Sequence, residues 1–138
     1  ADRTGIDRGW RMKTLRVAAI FVALTLMLGE AYRSWGAGRP IYAWIDDQFM
    51  GAALIAGAIL MSRPSPRRHA FFAAAWAFNV GMLYPSFFGK VFDPASSNPG
   101  NFSLGFLTLA IGVLFAIAIV GTFASIKLAM TGRIDVAS

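Results

Sequence analysis

The sequence predicts an all-α integral membrane protein, a four-transmembrane-helix up-down-up-down bundle with both termini on the cytoplasmic side, and three observations carry that reading. Four apolar runs cover residues 17–35, 41–62, 70–92 and 104–126, each near the ~20 residues that cross ~30 Å of hydrocarbon as a helix. Composition agrees: 57% of the 138 residues are hydrophobic and 14% charged, against about 25% charged in a soluble domain, and the mean hydropathy is +0.57. Charge is also segregated. Arg3, Arg8, Arg11, Lys13 and Arg16 precede the first run, Arg63, Arg67 and Arg68 separate the second from the third, and Lys127 and Arg133 follow the fourth, which sets ten basic residues against Arg33, Arg39 and Lys90 on the other side. By the positive-inside rule the majority side is cytoplasmic.

Only helices and closed barrels satisfy their backbone polar groups in lipid, and a barrel would need alternating strands, so the runs are read as helices. The predicted spans are about 14–35, 41–62, 69–92 and 103–130, a single membrane domain over residues 1–138. Residues 1–13 are polar and are expected on the cytoplasmic surface, with Trp10 as a headgroup anchor. The first helix follows from about Thr14, and Gly36-Ala37-Gly38-Arg39-Pro40 forces the turn after it. The second ends at Arg63-Pro64-Ser65-Pro66, because proline donates no backbone hydrogen bond and drives the preceding residue out of the helical region. Pro85 predicts a kink in the third helix. The outer loop from Asp93 to Asn101 is rich in turn residues and leads to a cap at Asn101 or Ser103. Asn101-Phe102-Ser103 matches a glycosylation sequon, but the Ala-rich, Arg-over-Lys composition points to a bacterial inner membrane, and no modification is expected. No cleavable signal peptide is expected either, since the first run spans and lacks a small-x-small site.

Two small-residue pairs, Ala53-x-x-x-Gly57 and Gly112-x-x-x-Ala116, are the predicted helix-packing positions, since small residues one turn apart let two backbones approach in lipid. The polar constellation emerges when the helices are laid side by side. At ~1.5 Å per residue from the cytoplasmic edge, Glu30, Asp47 and Tyr84 all reach roughly 25 Å. Asp46, Gln48, Arg33, Ser86 and Lys90 lie within a turn or two of that layer, so a candidate outer pocket sets three carboxylates against two cations. Two readings fit this layer: it lies in the outer headgroup zone, with Glu30 and Arg33 a simple i, i+3 pair and Asp46-Asp47 solvated, or it is a buried acidic pocket, since ending the first helix before Glu30 would leave too short a span. Deeper, Asn79 is the one strongly polar side chain near the middle of a span, and Trp76, Asn79, Leu83, Ser86 and Lys90 share a helix face expected to point inward. The phenylalanines of the third helix, Phe71, Phe72, Phe78, Phe87, Phe88 and Phe92, are candidates for an apolar pocket or a lipid-facing surface.

The absences narrow the function. The chain has no cysteine and one histidine, His69, read as an interfacial residue, so thiolate clusters, bis-histidine haem, zinc sites and Cys/His or Ser/His/Asp nucleophiles lack their residues. No Walker A, GxGxxG or HExxH pattern occurs. No cofactor, metal site or catalytic residue is expected. The net charge of +6 is an orientation signal that touches anionic headgroups and is not a nucleic-acid patch. The four-helix size and outer acidic residues resemble, in outline, small bacterial membrane families of the DoxX type and sterol-isomerase-like bundles, and no motif assigns the chain to either.

Three roles fit. An accessory or assembly subunit, packing through its helices against other membrane subunits or further copies, requires the fewest assumptions and is the expected one. The alternative is an oligomeric small transporter or channel with Glu30, Asp46 and Asp47 as proton or cation sites. The third is a binding protein or enzyme for a lipid-like molecule that uses the outer pocket and Tyr84, although no nucleophile accompanies the carboxylates.

Overall fold

The computed structural model describes the backbone of residues 3–137 and the side chains of residues 5–131. The side chains of Arg3 and Arg133, which enter the charge asymmetry, lie outside the described residues. The chain is all-helical: α1 covers Arg3–Ser34, α2 Tyr42–Leu60, α3 Pro66–Phe92 and α4 Leu104–Ala137, with a short 3₁₀ turn at Pro94–Ser96 and no strand among the described residues. All four helices are long and apolar enough to cross a membrane.

The helix boundaries follow from local chemistry. Helix α1 begins at Arg3 instead of near Thr14, because residues 3–13 contain no proline to stop it, and isolated Gly5 and Gly9 each cost only about 1 kcal/mol relative to alanine. The polar segment therefore continues the helix beyond its apolar run. At the other end Gly36 (φ 67) and Gly38 (φ 69) turn left-handed, a region open to glycine without a Cβ penalty, before Pro40. Helix α3 starts earlier than expected, at Pro66, since the Ser65 hydroxyl caps it by accepting from the Arg68 N–H at 3.2 Å. Of the two predicted caps for α4, Ser103 serves: its hydroxyl accepts from the Phe106 N–H at 3.3 Å and its carbonyl from the Leu107 N–H at 3.0 Å.

Contacts between successive helices fix the register. The Arg16 Nε donates to the Ala58 carbonyl at 2.7 Å and Gln48 Nε2 to that of Met27 at 3.2 Å, so residue numbers rise along α1 as they fall along α2. The same opposition links Gly57 and Met50 of α2 with Phe72 and Asn79 of α3, and Gly112 and Gly121 of α4 with Phe87 and Trp76 of α3. Helices α1 and α2 form one close pair and α3 and α4 another, joined chiefly through α2 and α3.

Lipid tails are as apolar as leucine, so cohesion here comes from close packing and not from expulsion of water. Glycine is what permits it. A Cβ at Gly57 would stand 2.7 Å from the Phe72 ring, and one at Gly121 would stand 2.5 Å from the Trp76 indole, both side chains being fully buried. Gly112 seats Phe87 in the same way, at 2.7 Å. Ala53 packs against the core. Ala116, one turn from Gly112, is exposed.

Candidate functional site

At the end of the bundle where α1 stops, its last turn carries Glu30, Arg33 and Ser34 on one face. Glu30 is 4% exposed, yet it is an ion, so it needs partners on both oxygens. Ser34 donates to Oε1 at 3.0 Å and Arg33 to Oε2 at 3.3 Å. Arg39, brought back by the glycine turn, pairs with Oε1 and also donates to the Ser34 hydroxyl at 2.6 Å. Arg33 continues outward, and its Nε and Nη2 donate to the Asn98 carbonyl at 3.0 and 2.5 Å. Asn101 adds a second tie, its amide nitrogen donating to the carbonyls of Tyr32 and Trp35 at 2.8 and 2.6 Å, where the end of α1 leaves them without helical partners. The same nitrogen is the atom a glycan would need. This end is a closed polar network that joins α1, the turn after it and the loop before α4.

The network gathers some of the expected residues and leaves others out. Asp47 is half-buried on α2 and near Glu30. Asp46 is exposed and accepts from the Asp47 N–H at 2.9 Å, so it stays outside the cluster. Tyr84 stands away from it too, 58% exposed and packed edge-on or tilted against Phe88 and Phe115. Height along the helix does not decide contact, whereas azimuth does: at ~100° per residue Tyr84 lies roughly 140° around α3 from Asn79. Arg39 was missed. The expected balance of three carboxylates against two cations therefore becomes Glu30 and Asp47 beside Arg33, Arg39 and Lys90.

The inward face of α3 is as the spacing predicts. Trp76, Asn79, Leu83 and Lys90 are buried. The Asn79 Nδ2 donates to the Met50 carbonyl of α2 at 3.2 Å and to that of Ala75 at 2.8 Å. Lys90 bonds to the Ser86 carbonyl and hydroxyl at 3.2 and 3.1 Å. The phenylalanines of α3 divide: Phe72 enters the core, while Phe87, Phe88 and Phe92 join Tyr84 and Phe115 in an aromatic cluster between α3 and α4.

A second feature has no counterpart in the sequence reading. Toward the opposite end, α1 and α4 diverge around a cleft of about 710 Å³ with Trp76 as its floor. Thr14, Leu15 and Ala18 form one wall and Ala116, Val120 and Ala124 the other, while Asp7, Arg8, Arg11 and Lys127 stand at its mouth. Small residues on α4 leave the gap open. Its volume lies in the range of about 300–1,000 Å³ typical of small-molecule sites, which are largely apolar with a few polar groups. Among the described residues no three His, Asp or Glu side chains converge to hold a metal ion. Compared with known family models, curated proteins and solved structures, the chain matches none, so the chemistry of both features rests on their own residues.

Proposed function

We propose that the chain is a single inner-membrane domain, an up-down-up-down bundle with both termini cytoplasmic, that holds an anionic, lipid-like molecule between α1 and α4. The cleft carries this reading. It is apolar along its depth and basic at its mouth, where among the described residues Arg11 and Lys127 are exposed beside Arg8 and one carboxylate, Asp7. That order, chain-like volume inside and positive charge at the surface, complements an acyl or isoprenoid tail with an acidic head, and the charged end coincides with the side that the basic bias makes cytoplasmic.

The test is native mass spectrometry of protein extracted gently from its membrane, beside a variant with Ala18→Phe and Ala124→Phe. Wild type should retain a lipid-sized adduct, and the filled variant should lose it with unchanged helix content. Equal retention by both would overturn the proposal. For orientation, Ser62→Cys and Ala95→Cys, both exposed in this cysteine-free chain, should label from opposite sides of the membrane.

The accessory-subunit reading draws on the same seam. Val17, Phe21 and Val120 are 61, 60 and 68% exposed, a surface against which another subunit's helix could pack. A copurifying polypeptide in place of the lipid adduct would favour it. Proton or cation coupling draws no support from Glu30, because both of its oxygens are held by Arg33, Arg39 and Ser34.

A further inference from the structure

The polar end of the bundle contains a second pocket, of about 380 Å³, between the end of α3, the turn after α1 and the loop before α4. Its wall carries three cations, Arg33, Arg39 and Lys90. Glu30 and Asp47 stand behind that wall and do not line it. The carboxylate that does, Asp93, is exposed and accepts from the Ser96 hydroxyl.

Lys90 is the informative member. It is 7% exposed, its two hydrogen bonds go to neutral oxygens of Ser86, and among the described residues it has no ion pair. An ammonium group has three donors, so one remains unused. The nearby carboxylates Glu30 and Asp47 do not contact Lys90, and Glu30 is taken by Arg33 and Arg39, so three cations share two carboxylates; a buried charge in excess is costly unless a partner is supplied. Arg39 lines the same pocket with its side chain 9% exposed, and its bonds to Glu30 and Ser34 both run through Nη1, which leaves Nε and Nη2 without a partner among the described residues. Arg33 is engaged by Glu30 and Asn98 and adds field more than free donors.

We infer that this pocket binds a phosphate-type oxyanion, held between the Lys90 ammonium from α3 and the Arg39 guanidinium from the turn after α1, with the Ser97 hydroxyl on the loop wall. A tetrahedral oxyanion accepts from several directions at once, and these donors approach from three separate elements. A planar fork and a point charge together form a common phosphate clamp. The anion is either free phosphate or the phosphodiester of a lipid headgroup, and the chemistry of recognition is the same.

The experiment uses the full chain in two settings. In detergent, thermal unfolding is followed against inorganic phosphate with ionic strength held constant by chloride. In nanodiscs, retention of phosphatidylglycerol is compared with that of phosphatidylcholine. Wild type should show either a saturable phosphate-dependent rise in Tm, which identifies free phosphate, or selective retention of phosphatidylglycerol, which identifies a lipid headgroup. Lys90→Met should weaken that response on the order of tenfold or more, the loss of one charge-assisted bond. Arg67→Met, exposed at the other end of the molecule and outside both pockets, should leave it unchanged.

A control on folding is built in. Without phosphate or anionic lipid, Lys90→Met should be at least as stable as wild type, because it removes a buried cation that no carboxylate contacts while keeping an apolar stem of similar length. If that variant is less stable than wild type under those conditions, Lys90 is a structural ligand of Ser86 and the inference fails. It also fails if wild type distinguishes neither phosphate from chloride nor the anionic from the zwitterionic lipid. The comparison of Lys90→Met with wild type does not bear on the cleft between α1 and α4, whose occupant is read from different residues; anionic-lipid retention that Lys90→Met leaves unchanged belongs to that cleft and counts against this pocket.

Discussion

The two ends of the bundle solve the same problem in opposite ways. Where α1 terminates, Glu30, Arg33, Ser34 and Arg39 close on one another, and Asn98 and Asn101 tie the loop before α4 to the helix end. At the other end α1 and α4 part, and what stands between them is a cleft with a basic mouth. Even there polar groups close one helix: Arg16 reaches the Ala58 carbonyl and Arg68 those of Leu60 and Arg63, so the free carbonyls at the end of α2 meet cations. Polar contacts close the end where the loops are polar and long, and space is left where the first and last helices meet.

The largest expected effect would come from breaking the closed end. Glu30→Ala leaves Arg33 and Arg39, with side chains 11 and 9% exposed, facing each other without their shared carboxylate. Removing one partner of a buried ion pair costs about 3–5 kcal/mol. Reversible unfolding in mixed micelles should show a loss of that size, and Glu30→Gln, which keeps an acceptor oxygen, should lose less. A loss below about 1 kcal/mol would mean that this end is hydrated and that the contrast is false.

The floor of the cleft should be nearly as unforgiving, although its walls are open. Gly121→Val places a branched side chain where a single Cβ already stands 2.5 Å from the buried indole of Trp76. Overpacking of this kind costs about 1–3 kcal/mol. Because Trp76 is 0% exposed, its fluorescence in a variant stripped of the other tryptophans reports directly on displacement of the ring.

Between the two ends, Asn79 joins α3 to α2 through the Met50 carbonyl. Interhelical hydrogen bonds in membranes contribute about 0.6–2 kcal/mol, so Asn79→Leu should destabilise by that amount in the same unfolding assay. The Asn79 Oδ1 is buried without a partner, and replacement by leucine removes that unsatisfied atom as well. This places the expected loss toward the lower part of the range. A stabilised variant would show that burial of the unpaired oxygen outweighs the bond.

Much of this architecture was legible in the sequence because it depends on one-dimensional quantities. Run length marks the four helices, proline and glycine mark their ends, and three- and four-residue spacing identifies the buried face of Trp76, Asn79, Leu83 and Lys90. Counting along the axis also places Glu30 and Asp47 at one height. What counting cannot supply is rotation about the axis, which removes Tyr84 and Asp46 from the cluster, or the path of a turn, which returns Arg39 to Glu30. A turn with two left-handed glycines, Gly36 and Gly38, followed by a cation was the available signal for Arg39. The cleft was beyond reach for a different reason. It is a gap between the two helices farthest apart in sequence, and a gap leaves no pattern in either one.

The smallest expected effect sharpens the comparison most, because it divides a motif that reads as uniform. Gly112 and Ala116 are one turn apart and equally small, and spacing alone assigns both to helix packing. In the fold, Gly112 lies against Phe87 while Ala116 is exposed on the wall of the cleft. Ala116→Leu should therefore change stability by less than about 0.5 kcal/mol, as substitutions away from packed features do. Its added methylenes project into the space assigned to an amphiphile, so the fraction of protein carrying a lipid adduct should fall even though the melting curve does not move. If both remain unchanged, the cleft wall is simply lipid-facing surface. If instead stability falls as it would for a packed residue, α1 and α4 close on each other in the bilayer, and the two ends of the bundle are alike.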